Sequence, residues 1–294
     1  MTDKKKGIFG RLALLITTMI WGTSFVIMKN TLDSITPTWI LVYRFTGAAA
    51  VLFLACIPRL KKIDRGYLKG GVCMGIFLAA AYIVQTYGLY YTTPAKNAFL
   101  TSTYCIFVPF INWGLFRKRL GGYKVFAGLM CLVGVGFVCL GGTEAFTINI
   151  GDILTIFCGL GYAFHIIITD KFVDTRDALL LTMLQFAVAA VICFVAALIF
   201  EPIPRGLPTQ AWWSIVYLSL MCTGACFLFQ TWGQKYTPPA TTAIILILES
   251  VFGATISVLM GQENLTFATV TGFCLIFFAI FISETKLAFL KRKK

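Results

Sequence analysis

Two ionisable side chains, Arg44 and Glu249, fall well inside long apolar stretches of this 294-residue chain. Charged groups in hydrocarbon are costly and are functional-site hypotheses by default. A guanidinium there takes a carboxylate, and a carboxyl takes an ammonium group or a proton. Without a cationic partner, Glu249 is a candidate proton carrier for coupled transport; with Arg44 in hydrogen-bonding range, the carboxylate stays ionised and the two form a structural ion pair. The sequence leaves both arrangements open. Gln85 and Gln230 carry amides that either line the two vestibules of a path or bond neighbouring helices. Trp21 and Tyr104 are the aromatic residues expected to line a cavity with these groups. Such a cavity, with one acid and one base, suits a zwitterionic or amphipathic organic solute. A phosphorylated sugar would want several Lys or Arg near the site.

Other chemistries find few residues. His165 is the sole histidine, with no Cys, Asp or second His at metal-ligand spacing, so no metal site is expected. It is read as a packed side chain ahead of a proton relay. The ten cysteines all lie in apolar stretches with no CxxC pair, as small packing residues do. No GxxxxGK[ST] sequence is present for direct nucleotide drive, and no cofactor is expected. An intramembrane enzyme would need a nucleophile with its base, or a metal triad, at one depth. One His and one buried Glu assemble neither. Asp170, Asp174 and Asp177 alternate with Lys171 and Arg176 and read as solvated surface.

The elements that must position these residues follow from composition. Hydrophobic residues make up 59% of the chain and charged ones 13%, where a soluble domain carries roughly 25% charge. Apolar segments recur near 11–29, 39–57, 70–91, 97–116, 122–141, 151–169, 179–200, 211–232, 240–260 and 266–283. Each is long enough for a bilayer core of about 30 Å. The expected fold class is therefore all-α, a polytopic membrane protein of ten transmembrane helices with the lipid bilayer as its partner. The first run continues to Met28 with no small-x-small cleavage site, so it reads as a retained span rather than a signal peptide.

Lys and Arg number 25 against 12 Asp and Glu, a net charge of +13. With the N-terminus inside, 21 of the 25 basic residues fall on the inner side and three, Lys29, Lys96 and Arg205, on the outer. That asymmetry predicts cytoplasmic N- and C-termini in a plasma membrane and accounts for the charge without nucleic acid. Trp39, Trp212 and Trp213 fall where spans enter from the outer side, as an aromatic belt would. In this orientation Arg44 lies roughly 9 Å below the outer boundary and Glu249 roughly 13 Å above the inner one, near one midplane.

The chain also repeats itself. Residues 85–98 match residues 230–243 at eight of fourteen positions without a gap, at an offset of 145. Tyr104 and Glu249 are counterparts at the same offset, as are Pro94 and Pro239, which stand where a first helical turn takes proline. A repeat of five spans is odd in number, so the halves, 1–142 and 143–294, must be inverted with respect to each other. Inverted repeats are an architecture of secondary transporters, which bind substrate between the halves near the midplane.

Several stretches carry a family resemblance: Trp21-Gly22-Thr23-Ser24-Phe25, Tyr43-Arg44-Phe45-Thr46-Gly47-Ala48, and Leu248-Glu249-Ser250-Val251-Phe252-Gly253-Ala254 leading to Gly261-Gln262-Glu263-Asn264-Leu265-Thr266. Together they resemble the EamA family of the drug/metabolite transporter superfamily along the whole length. The resemblance implies that four helices of each half surround a central cavity, with the fifth and tenth to the side. Two loops depart from the family pattern: Gly261-Gln262-Glu263 replaces the usual Gly-Glu, and Arg117-Lys118-Arg119 lacks the acidic residue. The family moves many unrelated solutes, so the fold does not name the cargo. The expectation is a secondary transporter of small organic metabolites, amino acids or related amphipathic solutes, exporting by alternating access with protons as a candidate coupling ion. The rival readings are import of a metabolite or vitamin, a passive channel, and an intramembrane enzyme.

Overall fold

The structure is a computed structural model that describes residues 3–117, 122–140, 148–259 and 266–285. The regular elements of the described residues are all helical, with no strand among them. The first half comprises α1 (Asp3–Thr31), α2 (Pro37–Cys56), a short 3₁₀ turn (Ile57–Lys62), α3 (Arg65–Tyr91), α4 (Pro94–Thr101), α5 (Tyr104–Phe116) and α6 (Gly122–Leu140). The second comprises α7 (Ile150–Val173), α8 (Ala178–Phe200), α9 (Thr209–Tyr217), a π-helical segment (Leu218–Ala225), α10 (Cys226–Gln234), α11 (Pro239–Leu246), α12 (Leu248–Leu259) and α13 (Phe267–Thr285). Continuous apolar sequence becomes helix in lipid because every backbone group must find its partner within the segment. Local signals place the starts. Proline opens α2, α4 and α11, where the missing N–H costs nothing. Asp64 caps α3, and Asn149 and Asp152 close a reciprocal box on α7.

Among the described residues, seven helical segments are long and apolar enough to cross a bilayer, and three shorter apolar ones lie at 125–137, 239–253 and 270–282. Large apolar side chains such as Leu54, Phe157, Val191 and Phe277 are exposed on the outer surface, which suits lipid and not water.

The two halves repeat in register. Shifting α4 by 145 residues gives α11, and the same shift turns α6 into α13, residue for residue at both ends. Packing repeats too: α3 lies on α7 as α10 lies on α1, α5 lies on α7 as α12 lies on α1, and α2–α8 and α6–α13 are self-related pairs. The fold is thus two inverted five-span halves interlocked across a pseudo-twofold axis, with α6 and α13 packed together at one side. Small residues permit the closest crossings. A Cβ on Gly22 of α1 would stand 2.8 Å from the Gly253 nitrogen of α12, so the two backbones touch there.

Several sequence expectations are corrected. The fourth and ninth spans, read over 97–116 and 240–260, are each interrupted by one tight turn, at Ser102–Thr103 and at Ile247, whose backbone stays αR and bonded to residues three or four back. These turns are again counterparts, and an apolar run cannot reveal them. Trp39 is buried, not belted: its ring packs against Tyr43 and Phe194 at 6.2 and 6.0 Å because α8 covers that face of α2. Trp212 and Trp213 are exposed. Asp177 is more than solvated surface, since it caps α8 through the Leu179 N–H and pairs with Arg59 at 2.9 Å. The departing loop residues Lys118, Arg119 and Gly261–Leu265, and the basic residues from Lys286 onward, lie outside the described residues.

Candidate functional site

A small cavity, about 50 Å³, lies between the halves and touches α1–α5, α7 and α10–α12. All six residues singled out from sequence, Trp21, Arg44, Gln85, Tyr104, Gln230 and Glu249, line it. Gln85 and Gln230, expected either to line two vestibules or to bond neighbouring helices, share this one space, and Gln85 bonds Thr101 of α4 and Tyr162 of α7. They meet there because the pseudo-axis passes through it: Gln85 with Gln230, Tyr82 with Phe227, and Tyr104 with Glu249 are pairs 145 apart, and all six line the wall. The Tyr82 and Phe227 rings are in contact across the axis at 5.9 Å.

Arg44 is held by the π-helical segment. Widening a turn to i→i+5 frees carbonyls and reorients side chains, a feature frequent at functional sites. Here Thr223 donates to the Leu218 carbonyl five residues back, at 2.8 Å, and accepts from Arg44 Nε at 3.0 Å. Ser219 donates to the Arg44 carbonyl at 3.0 Å, pinning α2 at this point. The Cys222 carbonyl accepts the Trp21 indole N–H at 2.7 Å, which orients that ring. The guanidinium also lies over the Tyr82 ring, 5.0 Å from its centre, a cation–π contact that leaves the charge uncancelled.

Glu249 sits in the first turn of α12, immediately after the break at Ile247, and Tyr104 follows the matching break at Ser102–Thr103. The breaks touch: Ser102 and Ser250 hydroxyls are 3.3 Å apart, and Ser250 also donates to the Ala98 carbonyl at 3.4 Å. The Tyr104 hydroxyl lies beside the Glu249 carboxyl. Arg44 and Glu249 form no ion pair with each other, and no cation pairs with Glu249 among the described residues. The cavity therefore presents a guanidinium and a carboxyl, both buried and both available to a third party.

The sequence reading missed several liners. Tyr162 donates to Gln85 Oε1 at 2.6 Å, and Gln85 donates to Thr101 at 3.1 Å. Asn97 donates to Thr155 at 2.8 Å and to the Gln85 carbonyl at 3.2 Å, leaving its own carbonyl oxygen unpartnered. Gln230 likewise keeps an unpartnered carbonyl oxygen. Phe227 was findable as the counterpart of Tyr82, but nothing in the sequence separates Tyr162 or Asn97 from other polar residues on helices. His165 does not line the cavity; it is buried against Phe227 and its Nε2 bonds Gln185 Oε1 at 2.8 Å. Among the described residues no three His, Cys, Asp or Glu side chains converge as metal ligands do.

Near the cavity's Met28 and Leu89 end, Glu201 joins the halves. Its carboxylate accepts from the Thr38 backbone N–H at 2.9 Å and from the Thr36, Thr38 and Tyr87 hydroxyls at 2.5–2.7 Å. Partial burial opposes its charge, but these donors outweigh burial and hold the carboxyl below the usual carboxylate range. The carboxylate also faces the N-terminus of α2, where the helix dipole favours it.

Comparisons with known proteins agree with this architecture. The model of the EamA-like transporter family matches twice, over residues 8–140 and 149–285. An uncharacterized transporter of Archaeoglobus fulgidus is 31% identical over 94% of this chain and 86% of its own length. The uncharacterized transporter YoaV of Bacillus subtilis is 26% identical over 92% and 95%. One solved crystal structure superposes with a TM-score of 0.79 at 16% identity, covering 97% of this chain and 99% of that one. Two matches to one family model, in the two halves that the structure relates by a pseudo-twofold axis, make this chain a member of the EamA-like transporter family.

Proposed function

We propose that this transporter carries a small zwitterionic organic solute of amino-acid type out of the cell by alternating access. One observation carries the reading: Arg44 and Glu249 line a single aromatic cavity without neutralising each other. The solute's carboxylate takes Arg44, and its ammonium group takes Glu249 with the unpartnered carbonyl oxygens of Asn97 and Gln230. Trp21, Tyr82 and Tyr104 supply the apolar and cation–π surface for its side chain. Glu249 also serves as the proton carrier, exchanging the solute's ammonium for a proton between half-cycles. The repeat units are taken as 1–142 and 143–294, both chain ends face the cytoplasm, and the membrane is the plasma membrane, as the 21-to-3 split of basic residues supports.

A thermal-shift screen of amino acids, amines and vitamins on detergent-purified protein, followed by proteoliposome flux with and without a pH gradient, tests the reading. Preloaded unlabelled solute is expected to accelerate exchange, as it does only in a carrier. Arg44→Lys loses the planar fork and is expected to weaken the solute's affinity about tenfold or more. Glu249→Gln is expected to abolish the pH dependence of flux. Retention of that dependence at full strength removes Glu249 from the coupling step, and a cargo lacking either a carboxylate or an amine refutes the zwitterion assignment.

A further inference from the structure

The cavity is lopsided about the axis that relates the halves. Besides the three counterpart pairs already described, Trp21 with Ile166 and Thr101 with Leu246 also line it, each pair 145 residues apart. These five pairs form a symmetric centre. From the second half only Tyr162 goes beyond it. From the first half the cavity also takes in Phe25 and Arg44, and its lining continues along α1, α3 and α4 through five more residues, Ser24, Met28, Thr86, Leu89 and Asn97. The counterparts of those five residues are Thr169, Val173, Thr231, Gln234 and Thr242, and none of them reaches the cavity.

We infer that Thr169, Val173, Thr231, Gln234 and Thr242 are the walls of a second vestibule, the mirror image of the first, collapsed in this conformation and lining the solute's path in the other. The inference rests on the carrier reading above and names the half of the path which that reading leaves undefined.

An independent observation comes from unmet hydrogen bonds. Among the described residues the hydroxyls of Thr169 and Thr231 have no partner, nor do those of Thr182 and Thr237, His165 Nδ1 and Gln185 Nε2, all on α7, α8, α10 or the α10–α11 connection. Buried polar groups are normally paired, and leaving them unpaired is unfavourable. A closed vestibule explains the exception, because its polar walls meet water and solute when it opens. A short chain of bonds holds it shut: Gln230 Nε2 donates to Gln234 Oε1 at 3.0 Å, and Gln234 Nε2 donates to the Ile166 carbonyl at 2.9 Å. Gln230 belongs to the cavity and Gln234 to the seal, so one amide pair links the occupied site to the closed side. The counterpart of Gln234 in the open vestibule is Leu89, which cannot form such a latch.

Thiol accessibility tests this without knowledge of the cargo. Thr231→Cys and Ser24→Cys, each in the full chain in proteoliposomes, are treated with a membrane-impermeant trimethylammonium methanethiosulfonate. Modification is read at the introduced site by peptide mass spectrometry, so the native thiols do not interfere. Each is compared with and without Gln234→Leu, which preserves volume and installs the residue of the open side. The expected result is reciprocal: the labelling rate at Thr231→Cys rises about tenfold on loss of the latch, and that at Ser24→Cys falls. No rise at Thr231→Cys, or a rise at both sites as general loosening would produce, overturns the second vestibule. Counterflow on the same vesicles tests the carrier reading separately, since its absence leaves the labelling result intact.

Discussion

Glu201 illustrates how a single residue joins the halves. It ends α8 in the second half and accepts four donors from Thr36, Thr38 and Tyr87 in the first. Because its folded pKa lies below its unfolded value, its contribution is fully present above the unfolded carboxylate pKa of about 4.3 and is lost as pH falls through the lower folded value. Thermal unfolding in detergent between pH 7 and pH 3 is expected to show that acid-side loss in the wild type. Glu201→Gln should be less stable at pH 7 and lack this component; an unchanged acid limb would assign the loss to other carboxylates. Residues of this kind differ in how readable they are. Arg44 and Glu249 stood out because a charge within an apolar run is conspicuous. Asn97 and Tyr162 did not, since Asn and Tyr on a helix are common and only their hydrogen bonds to Gln85 mark them.

Among the elements, irregular ones carry the site. The breaks at Ser102–Thr103 and Ile247 set Tyr104 and Glu249, and the π-helical segment sets Arg44 and Trp21. The π segment has no equivalent in the first half, where α3 runs unbroken over the matching positions, and the counterpart of Arg44 is Ala189, so the site is asymmetric within a symmetric frame. Regular elements carry the crossings. At Gly22 an added Cβ meets backbone atoms of α12 rather than a movable side chain. Gly22→Val is accordingly expected to destabilise the protein by about 1–3 kcal/mol, seen as a lowered unfolding midpoint in detergent. An unchanged midpoint would mean that α1 and α12 separate there without cost.

At the scale of the whole molecule, the symmetry makes a topological demand. Five spans per half bring both ends of the chain to one face, so epitope tags at the two termini of cells expressing the protein are expected to be shielded together and exposed together on permeabilisation. Opposite accessibility would break the inverted repeat. Much of this was legible in one dimension. Apolar runs must become helices because lipid offers backbone groups no other partner, and an eight-in-fourteen match at an offset of 145 points to duplication with inversion. Composition and repeat thereby determined the number of spans, their inversion and the residues worth watching. Only the tertiary structure decided that Arg44 and Glu249 stand apart and that both glutamines share one cavity. These depend on where helices break and which faces touch, and a uniformly apolar run carries no periodic signal for either.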